Sequence, residues 1–133
     1  MSLIVPDVGE VLLLKKALNH TAATDLKLHI FTNDIVPDED TVIGDLTEAT
    51  AAGYAAITLT GTSFTIETDG SNNTTATYAE QTFTFTEASI NYGYYITDSA
   101  GTGLLWVERF SDAPHSIPSG GGTEKITLSL GVD

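Results

Sequence analysis

YGYYITDSAGTGLLWVERF, residues 92–110, is the stretch from which the fold follows. Aromatic, β-branched and aliphatic residues fill both arms, and the connection between them holds Asp98, Ser99, Gly101 and Gly103, which favour turns and positive φ. The pattern predicts a β-hairpin bent at Gly101 and Gly103. In the first arm Tyr92, Tyr94 and Ile96 share one face, opposite Gly93, Tyr95 and Thr97. In the second, Leu104, Trp106, Glu108 and Phe110 oppose Leu105, Val107 and Arg109. Neither face is cleanly polar. A hairpin at a solvent edge alternates more strictly, so this one is expected in the middle of the molecule, with a packed core on one face and further cover, for which another subunit is one candidate, over part of the other.

Working outward, the totals bound the molecule. A chain of 133 residues suits one domain that buries about two-thirds of its unfolded surface. Cysteine is absent, which removes disulfides, thiolate nucleophiles and cysteine-ligated zinc. The formal net charge is −13, with Lys15, Lys16, Lys27, Arg109 and Lys125 as the only Lys and Arg. Phosphate binding needs a basic surface, so nucleic acid is excluded as a partner, and the charge reads as that of a self-repelling, soluble particle. The N-terminus lacks the basic start of a signal peptide, and its apolar run stops at Pro6-Asp7. No stretch approaches the roughly twenty apolar residues of a membrane span, so no membrane partner is expected.

One helix is predicted, about 12 residues that start at Asp7 and end before Asn19. Asp7 and Glu10 have capping-box spacing, Val8, Val11, Leu12, Leu14 and Leu18 form an apolar stripe, and Lys15 and Lys16 suit the C-terminal end of the macrodipole. So short a helix is marginal alone, and its stripe should dock on the β core. Strands follow at Leu26–Phe31, Tyr54–Thr60, Phe64–Glu67, Lys125–Leu130 and a long segment, Thr75–Tyr78 with Gln81–Thr86, bent near Ala79-Glu80. His115–Ile117 reads as a brief pairing segment. Between them lie an acidic loop from Asn33 to Gly44, a brief helical turn over Leu46–Ala52, a turn at Asp69–Asn73 and a Gly120–Gly122 loop. The fold class is all-β: an antiparallel, jelly-roll-like β-sandwich of seven or eight strands with one short N-terminal helix. The chain forms a single domain, 1–133, with an arm and helix over 1–20 and the β core over 26–130.

Candidate chemistry is sparse. His20, His29 and His115 lack metal or base-nucleophile spacing and read as surface or loop residues. Asp34, Asp38, Glu39 and Asp40 lack the EF-hand pattern and read as a solvated loop. Asp38 or Glu39 with Glu48 or Glu67 could form a glycosidase pair only at a defined separation. Gly101-Thr102-Gly103 precedes a strand rather than a helix and is a turn, not a dinucleotide site. The Asn19, Asn72 and Asn73 sequons arise readily in a Thr-rich chain. No catalytic residue, metal or cofactor is expected. Trp106 reads as core, and Arg109 as pairing with a carboxylate across a subunit boundary.

Four segments together resemble a family of small structural proteins of tailed bacteriophages: Val5–Glu10 opening into the Leu-rich helix, Gly53–Leu59, Tyr92–Thr97 and Leu104–Phe110. The resemblance implies a non-enzymatic virion component made in the host cytoplasm, foremost a capsid decoration or cement protein. It further implies a homotrimer whose partner is the major capsid protein. The alternative role is a tail or baseplate component, including a host-glycan-binding module that uses Tyr95 or Trp106. Interface residues expected on this reading are Val5, Asp7, Tyr95, Trp106 and Arg109. The N-terminal segment Met1–Asp7 or the acidic loop near Asp38 would touch the shell, and Ser2–Val5 would be dispensable for the β core.

Overall fold

The structure is a computed structural model that describes residues 3–18, 20 and 23–132. Asn19 and Thr21 of the first sequon, and Met1 and Ser2 of the expected shell-contact arm, lie outside these residues. The chain forms a β-sandwich with a short N-terminal helix. Helix α1 (Asp7–Ala17) is followed by strands β1 (Leu26–Phe31), β2 (Ile57–Leu59), β3 (Thr65–Thr68), β4 (Thr74–Phe85), β5 (Ser89–Asn91), β6 (Gly93–Asp98), β7 (Leu104–Arg109), β8 (His115–Ile117) and β9 (Gly122–Leu130). They form sheets of four, three and two strands in the orders β2-β1-β6-β7, β3-β4-β9 and β5-β8, with each adjacent pair antiparallel. The sandwich class is as the alternation predicts. Among the described residues there are nine strands in three sheets, a different division from the eight strands of a jelly roll.

The main core lies between the two larger sheets. Leu28, Ile30, Ile96, Leu105 and Trp106 meet Phe83, Phe85, Ile126, Leu128 and Leu130. Burying each such aliphatic or aromatic side chain contributes about 1.5–3 kcal/mol. Strand β4 carries the predicted bend as a register shift between Tyr78 and Gln81. The extra residue there lets one long strand follow the sandwich curvature.

The hairpin forms as β6 and β7, with Gly101 at φ 76° in its turn. Its facing differs from strict alternation. Between the pairs Ile96 with Trp106 and Thr97 with Leu104, β7 carries one extra residue. Leu105 and Trp106 therefore both enter the main core, whereas Leu104 joins Val107 on the opposite face. Strand β6 is internal; the free side of β7 is met by Ile4, which exchanges backbone hydrogen bonds of 2.9 and 3.0 Å with Val107.

The cover on the second face comes from the same chain rather than from another subunit. Phe31, Tyr95, Leu104 and Val107 pack with Leu46, ringed by Ile4, Ile35, Ile43 and Tyr92. The acidic loop thus turns apolar residues inward at both ends. Local bonds hold its shape: Asn33 donates to the Asp45 carbonyl and accepts from the Thr47 N–H, and Asp38 accepts from the Asp40 N–H and the Thr41 hydroxyl. The helical turn expected over Leu46–Ala52 is absent. Thr32 N–H donates to the Thr47 carbonyl and Ala49 N–H to the Ile30 carbonyl, so pairing beside β1 overrides a weak local preference. Strand β2 is correspondingly shorter than the predicted Tyr54–Thr60.

Helix α1 also departs from its predicted facing. Pro6 occupies the cap position, no side chain caps the helix, and the Asp7 N–H is satisfied by the Glu39 carbonyl at 3.0 Å, so the expected Asp7–Glu10 capping box is not formed. The helix approaches β7 through Gly9, where a Cβ would lie 2.5 Å from the Leu105 carbonyl oxygen. With Gly9 innermost, Leu12, Leu13 and Lys16 are half-buried. Of the predicted stripe only Leu12 packs inward. Val8, Val11, Leu14 and Leu18 remain 41, 52, 62 and 77% exposed.

Candidate functional site

The outward face of α1 follows from that close approach. A helix with apolar residues around most of its circumference can bury only one side, and the Gly9 contact sets which side that is. Among the described residues nine large hydrophobics are exposed, and six of them lie on or beside α1: Val8, Val11, Leu14, Leu18, Val42 and Val132. Val42, Ile43 and Leu104 make a groove with Val8, Val11 and Leu12 along one flank. Val5 and Val132 make another with Leu13, Leu14 and Ala17. Asp7 and Glu10 mark the acidic end of this surface, and Lys15 and Lys16 the basic end. Exposed apolar residues clustered on both flanks of one helix, with charges at its ends, have the character of a protein-binding surface.

The five residues expected at an interface do not form one surface. Asp7 is exposed beside the patch, but Val5, Tyr95 and Trp106 are buried within the chain and offer a partner little area. Trp106 belongs to the core, as its size suggests, and its Nε1–H donates to the Gly131 carbonyl at 2.7 Å. Tyr95 stacks on His29, with ring centroids 4.6 Å apart, and burial together with the Glu48 charge raises its hydroxyl pKa. Arg109 takes its carboxylate from its own chain: it donates to Asp34 at 2.6 Å and to the Ile35 carbonyl at 3.0 Å, with its guanidinium 5.1 Å from the Tyr92 ring centroid. These contacts tie the acidic loop to β7. The segment containing Ile4 and Val5 packs with the fold: Ile4 pairs with Val107, and Val5 is buried in the main core.

Two histidines stand in networks rather than on open surface, contrary to their expected placement. His29 is buried in β1. The Thr97 hydroxyl donates to the Asp98 carbonyl and so presents its lone pairs to His29 Nε2 at 2.8 Å. Glu48 lies 2.6 Å from His29 Nδ1, a distance that requires one proton between the two groups. Glu48 also accepts from the Tyr54 hydroxyl, whose oxygen accepts from the Ile30 N–H. Burial is the main cause that raises the Tyr54 pKa, so this hydroxyl acts as a donor and not as a base. The network pins residues 47–49 to β1.

The second network joins the smallest sheet to β9. His115 contacts Asp112 at 2.6 Å through Nε2 and Glu124 at 2.9 Å through Nδ1, and its ring stacks on Phe110 at 4.2 Å. The buried Asn91 donates to the other oxygen of Glu124 and accepts from the Ser89 hydroxyl. An open cleft beside this cluster is bordered by Tyr94, Glu108, Phe110 and Lys125. Tyr94 donates to Glu108 at 2.7 Å, and burial raises its hydroxyl pKa beyond use as a base. Both His115 nitrogens are engaged, so the imidazole faces its carboxylates one on each side and the three groups do not converge on a common point. The Asp112-x-x-His115 spacing was visible in the sequence; Glu124 and Asn91 were not, because only strand pairing brings them there.

Of the carboxylates weighed for glycoside hydrolysis, Glu48 belongs to the His29 network on the four-stranded sheet and Glu67 to β3 of the other sheet. No group of three His, Cys, Asp or Glu with metal-binding geometry occurs among the described residues, and none of the described helices is long and apolar enough to cross a membrane. The chain matches no protein family, no curated protein and no solved structure.

Proposed function

We propose that this chain is a non-enzymatic structural protein of a tailed-phage virion, which binds the outside of the capsid shell and helps hold its subunits together. The observation that carries the proposal is the clustering of exposed apolar residues around α1 in a chain that is otherwise strongly acidic. The resemblance of four sequence segments to phage structural proteins supplies the particle context. In this reading Val8, Val11 and Leu14 seat on the major capsid protein, with Asp7 and the Asp38–Asp40 loop at the rim. The sandwich is the rigid support: buried polar side-chain atoms among the described residues are all hydrogen-bonded. A partner that binds only the assembled lattice stabilises it by mass action.

Co-sedimentation with purified capsid shells tests this. Val11→Asp with Leu14→Asp should cut shell occupancy at least about tenfold, the loss expected when charge enters an apolar contact centre at more than about 1.4 kcal/mol. The circular dichroism spectrum should stay that of the wild type. Equal occupancy of the folded double variant would overturn the assignment of α1.

A further inference from the structure

His115 is the only described side chain bracketed by two carboxylates, one on each ring nitrogen. Carboxylate oxygens accept and cannot donate, so the geometry needs a proton on both Nδ1 and Nε2. The neutral ring has one N–H and would leave a lone pair facing a carboxylate at hydrogen-bond distance. The two partners are unequal. Glu124 has a side chain only 9% exposed and is held by Asn91, whereas the Asp112 side chain is 78% exposed on the connection between β7 and β8. We propose that Asp112, His115 and Glu124 form a proton-operated latch on the Ser111–Pro114 connection, closed with the imidazolium and opened at Asp112 when the ring loses a proton.

The route of opening follows from burial. On deprotonation His115 keeps the bond to buried Glu124 and loses the bond to Asp112, which hydrates. The attraction between the charged ring and the Phe110 face weakens at the same step. The Ser111–Pro114 connection then swings away from β9 and widens the cleft beside Tyr94 and Lys125. Other charged groups here are accounted for: Glu108 from β7 favours the imidazolium, Lys125 from β9 disfavours it, and Arg109 is directed to Asp34 and Ile35. Tyr94 from β6 is neutral.

Desolvation lowers the His115 pKa, but the bonds to Asp112 and Glu124 outweigh it and hold the pKa above the ordinary 6.5. The Asp112 carboxyl is held below its usual range, chiefly by the same His115 bond. The stabilisation is thus complete from above the ordinary Asp value of 3.8 up to pH 6.5, is lost as pH rises through the elevated His115 value, and is lost again as pH falls through the depressed Asp112 value.

NMR titration of the His115 ring, read with amide-exchange protection of residues 111–116 corrected for intrinsic rates, tests the latch. Both ring nitrogens should carry protons at pH 6. Above the His115 midpoint, protection should fall by up to about tenfold per pH unit, the limit for one linked proton. Asp112→Asn should lower the midpoint and give at pH 6 the low protection that the wild type has at high pH. His115→Gln should remove the pH dependence, and His29→Gln should retain it. A His115 midpoint at or below the ordinary value, pH-independent protection in the wild type, or an Asp112→Asn response identical to wild type would each overturn the proposal.

Discussion

Helix α1 and the β6–β7 hairpin are both apolar on more than one side, yet they resolve that excess in opposite ways. The hairpin buries both faces inside its own chain, one against the second sheet and the other beneath Leu46, Ile35 and Ile43. The helix buries a glycine-centred side and leaves its valines and leucines outside. Apolar periodicity reports that a face seeks cover. What covers it depends on what the fold returns to it: the loop of residues 33–44 and Leu46 return over β6 and β7, while α1 seats on β7 closely at Gly9.

This contrast can be broken first at the hairpin. Leu105→Ala, at a fully buried site, should cost about 2–5 kcal/mol, read from the denaturant midpoint. Leu46→Ala should also cost at least about 2 kcal/mol if the chain covers its own second face. A cost within ~0.5 kcal/mol for Leu46→Ala would return that face to another subunit. Deleting residues 2–5 should come next, at about 2–4 kcal/mol, since it removes the burial of Val5 and the Ile4 bonds to Val107. An unchanged midpoint would show that the segment is dispensable for the β core.

The helix gives a test of sign. On an exposed helix Gly→Ala stabilises by about 1 kcal/mol, but here the added Cβ meets the Leu105 carbonyl. Gly9→Ala should therefore destabilise by about 1–3 kcal/mol, measured by thermal and chemical unfolding. A gain in stability would show that α1 is not seated through Gly9. The smallest effect belongs to the outward face: Val11→Ser and Leu14→Ser should each change stability by about 0.5 kcal/mol or less. A loss above 2 kcal/mol would mean that the chain itself covers them.

Much of the fold was legible in the sequence because its cause is local. Phe83 and Phe85 alternate with threonines, Asp69 and Asn72 mark the turn between β3 and β4, and the Ala79-Glu80 irregularity falls where β4 shifts register. The misreadings share a different cause. The extra residue in β7 is invisible to alternation, which groups Leu104 with Trp106 and Leu105 with Val107; the structure exchanges the two leucines. The inward role of Ile35, Ile43 and Leu46 depends on where a loop returns. The helix stripe was read from its largest residues, while Gly9 sets the seat because of what it lacks. Arg109 met Asp34 within the chain because the loop end passes β7, and His115 met Glu124 because β8 lies near β9. No spacing in a single sequence reports those distances.

Cryo-electron microscopy of the phage particle that the proposed function assigns to this chain tests that proposal most directly. The account predicts regular protrusions on the capsid in which the Val8–Leu14 face of α1 is buried against the major capsid protein, while the β6–β7 hairpin is enclosed by its own subunit. Density confined to the tail, or capsid-bound copies with the α1 face open to solvent, would contradict it.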